Sequence, residues 1–188
     1  SATDVAINKK IALTCSEEGE AATISTAQDS GAGPGDVFMS GSVAYTIVGS
    51  TAIFTPLSDL AVNTTYLATV STEVRDLAGN GLAASRVWSF TTGGTADTTA
   101  PMVLSTSPVN AATDVAINRQ ITATFSEAMD PTTITAVNVT LVGAGATPIS
   151  GLIDYDGPSR IVTLTPAGIL AANTVYTATI STAVQDLA

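Results

Sequence analysis

Apolar and polar positions alternate along this chain in short runs, and the runs are separated by turn residues. Ile11, Leu13 and Cys15 point one way between polar neighbours, and Ile121, Ala123 and Phe125 repeat the pattern. Met39, Val43 and Tyr45 line up with Ile149, Ile153 and Tyr155. The runs TAIFTP and IVTLTP each close on a proline, which cannot donate to a sheet ladder and so ends it. In residues 86–92, Trp88 and Phe90 share one face and Val87 and Ser89 the other, which predicts a strand with Trp88 in the core. A period of two, many short segments and regular turn signals predict an all-β fold of the sandwich type.

The pattern occurs twice. ATDVAIN at residues 2–8 returns 110 residues later, and DLA at residues 76–78 returns at the same offset. Residues 2–78 align with 112–188 without a gap, and 33 of the 77 positions are identical, which marks a duplicated structural unit. Residues 79–111 occur once. They hold the end of the first unit, a linker rich in Gly and Thr, and the strand MVLSTSP that opens the second. The division predicted is 1–93, a linker over 94–100, and 101–188. Each unit is expected to fold by itself, with few contacts across the linker and modest bending there.

The copies differ at particular places. AVNVTLVG in the second unit predicts a third strand with Val137, Val139 and Leu141 alternating. The first unit has AQDSGAGPGDVF there, rich in Gly and Asp, and its divergent residues 28–38 predict a short strand or a loop. Cys15 stands where the other copy has Phe125, so it reads as a buried small hydrophobe rather than a reactive thiol. In LAVNTTYLATV and LAANTVYTATI a Leu, a polar corner and a Tyr open an alternating strand, the pattern of a tyrosine corner. Tyr66 and Tyr176 are therefore expected to bury their rings and return their hydroxyls to nearby backbone. DLAGN is turn chemistry, with Asp76 placed to cap backbone amides. Asn63-Thr64-Thr65 and Asn138-Val139-Thr140 fit the glycosylation triplet.

Composition narrows the chemistry. Apolar residues make up 45% of the chain and charged ones 12%, enough apolar side chain for a core in each unit. Six Lys and Arg stand against 16 Asp and Glu, a formal charge of −10, which argues against nucleic-acid or anionic-lipid partners. No apolar run approaches the length of a membrane span, so membrane insertion is not expected. The absence of histidine removes Ser-His-Asp and Cys-His catalysis and the usual zinc and copper ligands. The single Cys15 cannot form an intrachain disulfide.

DLAGNGLAAS…WSFTT, followed by DTTAP…TSP…ATDVAIN…ITATFSEAMDP, resembles the bacterial Ig-like domains of S-layer-type proteins and large surface adhesins. The likeness runs over essentially the whole chain, although TCSEEGEA in the first unit replaces TFSEAMDP. It implies an exported protein at the bacterial cell surface or outside the cell, built of seven-stranded sandwiches in tandem, with neighbouring repeats of the same protein as partners and no catalytic residues. No signal-peptide pattern is present, so an export signal would have been removed or would lie outside these residues. Set against such units, the chain reads as cut out of phase. The first unit lacks a strand like residues 102–108 and the second lacks one like residues 86–92, leaving open edges for strand exchange or addition.

Three functional readings follow: a structural spacer, an adhesive module binding sugar or protein through its loops, and an enzyme. Glu17 and Glu20 are the carboxylate pair for the last, but they share one short connection, whereas glycosidase chemistry needs two carboxyls across a cleft. A lysine–asparagine crosslink would have only Lys9 and Lys10 in the first repeat, aligned with Arg119 and Gln120 in the second, and is not expected. Strand direction in such sandwiches brings Asp4, Asp97, Glu127, Asp130 and Asp186 toward the domain junction, where they form a candidate Ca²⁺ site. The competing reading is five solvated or turn-capping carboxylates, and nothing in their spacing resembles an EF-hand.

Overall fold

The computed structural model describes residues 2–20 and 39–188. The divergent residues 28–38 lie outside the described part. The chain divides into two compact units, one running to Thr99 and taking in Leu187 and Ala188, the other spanning Ala100–Asp186. Both are all-β.

Among the described residues the first unit holds two three-stranded sheets. β1 (Ala2–Val5), β5 (Thr65–Val70) and β6 (Arg86–Thr92) form one, in the order β1-β6-β5. β2 (Ile11–Thr14), β3 (Gly41–Thr46) and β4 (Thr51–Pro56) form the other, in the order β2-β4-β3. β4 is central, with Phe54 opposite both Ile11 and Val43, and its first four residues are all buried. A central strand under a covering sheet reads as a continuous apolar run, which is why TAIF breaks the alternation. Gly41 pairs with Pro56 at the sheet end, where an added Cβ would meet the Phe54 ring and stand 2.5 Å from the Thr55 carbonyl oxygen. Gly151 repeats the arrangement against the Thr165 carbonyl, so the repeated glycine answers a close approach of strands.

β6 lies between its neighbours, antiparallel to β5 and parallel to β1. Tyr66 faces Phe90 in this ladder, and their rings stack with centroids 5.6 Å apart. Leu60 joins them in a buried cluster against which Val5, Ile7, Ile11 and Met39 pack. Asp4 adopts φ +61°, and the β1–β6 register shifts between Ala2 and Val5, which makes this a bulge. β1 was not foreseen. Among the described residues β2 has β4 as its sole strand neighbour.

The second unit consists of a four-stranded sheet, in the order β10-β11-β8-β7, and a two-stranded one, β12-β9. Its strands are β7 (Val103–Ser107), β8 (Ile121–Phe125), β9 (Val139–Val142), β10 (Gly151–Asp156), β11 (Ile161–Pro166) and β12 (Thr177–Ile180). Phe125, Met129, Ile134, Leu141, Tyr155, Val162 and Leu164 are buried, with the Phe125 and Tyr155 rings edge-on at 6.3 Å. Val139 and Leu141 point inward as expected, but Val137 is 83% exposed. It sits before β9 in a turn, where Asn138 and Val139 both donate to the Thr135 carbonyl, so alternation starts two residues later.

Two other expectations shift in degree. Trp88 shares the inward face with buried Phe90 yet is only half-buried, because small Ala68 opposes it and open space adjoins. Cys15 is half-buried where Phe125 is fully covered, though both amides keep the same cross-loop bond, to Ser50 and Arg160 respectively. Burial raises the Cys15 thiol above its ordinary value and keeps it protonated at neutral pH.

Phe90→Ala is expected to destabilise the first unit by about 3–5 kcal/mol, from the buried ring and the cavity it leaves. Tyr66→Phe should remove only a hydrogen bond, about 1 kcal/mol. Denaturant titration with probes specific to each unit checks both, and the unfolding of the second unit should not move.

Candidate functional site

The repeated residues spend their polar groups on chain geometry. Tyr66 takes a hydrogen bond at its hydroxyl from the Ala61 amide, and Tyr176 takes one from the Ala171 amide, each at 2.8 Å. These are the two tyrosine corners. A second pair, aligned in the sequence only as strand positions, does the same: the Tyr45 hydroxyl accepts from the Gly19 amide at 2.8 Å and that of Tyr155 from the Met129 amide at 2.9 Å. Burial is the main influence on Tyr155 and raises its phenol above the ordinary value.

Asp76 folds the DLAGN turn around its own carboxylate. One oxygen accepts from the Ala78 and Asn80 amides at 2.9 and 2.8 Å, the other from the Asn80 side chain at 2.8 Å, and Gly79 supplies φ +87°. The Asn80 side chain, then the backbone amides, hold this carboxyl below its ordinary value.

Of the five carboxylates named for calcium, Asp4 and Asp97 belong to the first unit. The Asp4 side chain lies against Gly93, where any Cβ would collide with it. Asp97 and Asn8 clasp one another: the Asn8 amide nitrogen donates to the Asp97 carbonyl and the Asp97 amide to the Asn8 side-chain oxygen, both at 2.8 Å. The Asp97 carboxylate accepts from the Thr99 amide at 3.0 Å and stands 3.9 Å from the Lys9 ammonium. The Thr99 contact chiefly, with Lys9 behind it, lowers its pKa. Residues 93–97 are thereby tied to the first unit, as further bonds from Gly93 to Val5 and from Ile7 to Thr95 confirm.

Glu127, Asp130 and Asp186 belong to the second unit. Asp130 is buried, and its carboxylate accepts from both the Thr132 amide and hydroxyl, capping the short 3-10 turn Pro131–Thr133. Its amide donates to the Gln185 carbonyl, and Met129 forms a bridge with Asp186, so these loops meet through backbone. Glu127 is half-buried. Among the described residues, no three of His, Cys, Asp and Glu gather into a group that could hold a metal ion. Asn138 donates its side-chain amide to the Thr133 carbonyl at 2.8 Å, so that triplet asparagine serves its own loop.

A cleft of about 410 Å³ opens in the first unit, lined by Ala2, Val5, Lys9, Lys10, Ile11, Trp88, Ser89 and Phe90. It offers an indole, apolar walls and the Lys9 and Lys10 side chains, with the Lys9 ammonium 3.9 Å from Asp97. Its described lining residues include neither a carboxylate nor a histidine for proton transfer.

A family model described as the bacterial Ig-like domain matches residues 1–92 and again residues 97–188. The chain belongs to that family, as two copies in tandem. Among solved structures, the N-terminal part of the bacterial S-layer protein SbsC is similar at 14% identity and a TM-score of 0.42, over 94% of this chain and 42% of that one. Domains 1–6 of the SbsC surface layer protein align at 15% and 0.44, over 94% and 24%. A chimeric titin Z1Z2 functionalised with a decorin peptide aligns at 12% and 0.34, over 94% and 90%. This chain thus spans less than half of the S-layer chains it matches. No curated protein matches it.

Asn8→Ala should cost the first unit about 1–3 kcal/mol, since two bonds of the clasp go at once, while Asn118→Ala at an exposed position should cost less than about 0.5. Chemical denaturation of both variants checks this. For Asp76 and Asp97 the folded-state pKa is depressed, so their stabilisation is complete above the unfolded carboxylate value near 4 and vanishes as pH falls through the folded value. Stability of the first unit should therefore decline in acid, and Asp76→Asn should flatten that decline. Thermal melts from pH 2 to pH 6 measure it.

Proposed function

We propose that this chain is a structural spacer: two Ig-like repeats of an exported bacterial surface protein that set distance and do no chemistry of their own. The observation that carries this reading is the use of the repeated polar residues. Both tyrosine corners and the second tyrosine pair accept from backbone amides, and Asp76 spends one carboxylate oxygen on the amides of its own turn. A duplication that repeats turn and corner residues preserves a shape. The family match over both units and the acidic surface, suited to solubility outside the cell, support the same view.

The test places the chain between a reporter domain and the surface of a bacterial cell. Deleting it should reduce access of a large antibody to the reporter, and an unrelated Ig-like pair of equal length should restore access fully. Failure of that replacement would show that the sequence itself is needed. Saturable binding of a particular glycan or protein by the isolated chain would likewise replace the spacer reading with an adhesive one.

A further inference from the structure

Asn80 is the one asparagine of this chain with a glycine after it. Where the next residue has no Cβ, its backbone nitrogen meets little hindrance in approaching the asparagine side-chain carbon. Packing imposes that glycine. A Cβ on Gly81 would stand 2.5 Å from the Thr72 carbonyl oxygen, so a larger residue does not fit where the chain returns past Thr72. The bonds on either side, from Leu82 to the Val74 carbonyl at 3.1 Å and from Asp76 to the Asn80 carbonyl at 2.9 Å, make the Arg75–Gly81 bridge. The Gly81 amide lies outside that ladder. Asn80, Gly81 and Leu82 are all exposed, so water reaches them.

The folded turn restrains the asparagine. Its side-chain nitrogen donates to one Asp76 carboxylate oxygen at 2.8 Å, and its amide donates to the other, also at 2.8 Å. With the bond from the Asp76 amide to the Asn80 carbonyl, a single residue fixes both the backbone and the side chain of Asn80. Closing a ring onto the next nitrogen needs that side chain to swing free. Asp76 is therefore a lock on Asn80 as well as the residue that shapes the turn. Other groups hang on the same turn: the Glu20 amide donates to the Arg75 carbonyl at 2.7 Å, Gly19 bridges Asp76, and the Arg75 guanidinium donates to the Gly79 carbonyl at 2.7 Å.

We propose that Asn80 is a site of spontaneous deamidation, held back by Asp76 and released when the turn opens locally. The Gly81 backbone nitrogen attacks Asn80 Cγ. A nitrogen–carbon bond forms, the Cγ–Nδ2 bond breaks, and the side-chain nitrogen leaves as ammonia with the proton that Gly81 gives up. One water then opens the cyclic imide. Opening at Cγ yields Asp, and opening at the former Asn80 carbonyl yields an isoaspartyl link; no electrons are exchanged. Either product sets a carboxylate where an amide donor faced Asp76, and the isoaspartyl form also adds a carbon to the backbone. Two carboxylates repel and a donor is lost, so the lock does not re-form. The change is one-way and marks the age of each molecule at the turn that receives Gly19 and Glu20.

The experiment incubates the whole chain in mildly alkaline buffer and follows every asparagine by peptide mass spectrometry, with Asp and isoaspartyl peptides separated by chromatography. Asn80 should convert ahead of Asn63 and Asn173, which are equally exposed but precede Thr, and should give both products. Asp76→Ala should speed the conversion roughly tenfold, because the turn opens more often. Unchanged amide exchange along β6 shows that this variant stays folded, and the milder Asp76→Asn, with a smaller acceleration, decides the matter if it does not. Asn80→Gln should abolish the reaction. In converted protein, exchange at the Asp76 and Glu20 amides should quicken. Conversion of Asn80 no faster than that of Asn63, equal rates with and without the Asp76 carboxylate, or unchanged exchange after conversion overturns the proposal.

Discussion

The stacking of Phe90 on Tyr66 across the β5–β6 ladder is the contact on which one side of the first unit depends. It is made possible by strand order: β6 is interior to its sheet, with both its edges bonded, and Ile11 of β2 packs against the cluster that Phe90 forms with Tyr66 and Leu60. Leu60, Val5 and Ile7 then have an apolar surface to lie on. In the second unit the corresponding tyrosine keeps its corner bond but not its cover. The corner is thus a local device, satisfied by five residues of chain, whereas burial of the ring is a property of the sheet.

That distinction explains what could be read from the sequence. Period-two alternation, the prolines that close β4 and β11, the tyrosine corners and the Asp76 turn are all set by residues within a few positions of one another. Each was legible. β1 was not, because Ala2–Val5 is exposed or half-buried and owes its strand character to pairing with residues almost ninety positions away. Trp88 was placed on the correct face, yet its depth depends on Ala68 across the ladder and on the cleft beside it. Val137 continued an apolar alternation in text that the Thr135 turn interrupts in space.

The five carboxylates show the same limit from the other side. Their charge was readable, but a carboxylate's role is decided by what donates to it. Asp130 faces Thr132, Asp97 faces Thr99 and Lys9, and Asp4 occupies the space that Gly93 leaves. The Asn8–Asp97 clasp, invisible as a pair in sequence, is the more instructive feature, because it recruits residues that composition assigned to a linker.

The parallel pairing of β1 with β6 also has a mechanical meaning. A load pulling apart the start of β1 and the end of β6 draws two parallel strands past one another rather than peeling them open. The bonds from Gly93 to Val5 and from Ile7 to Thr95, and both halves of the clasp, then resist together as a shear patch. A pull on that patch must therefore break its bonds together rather than one after another.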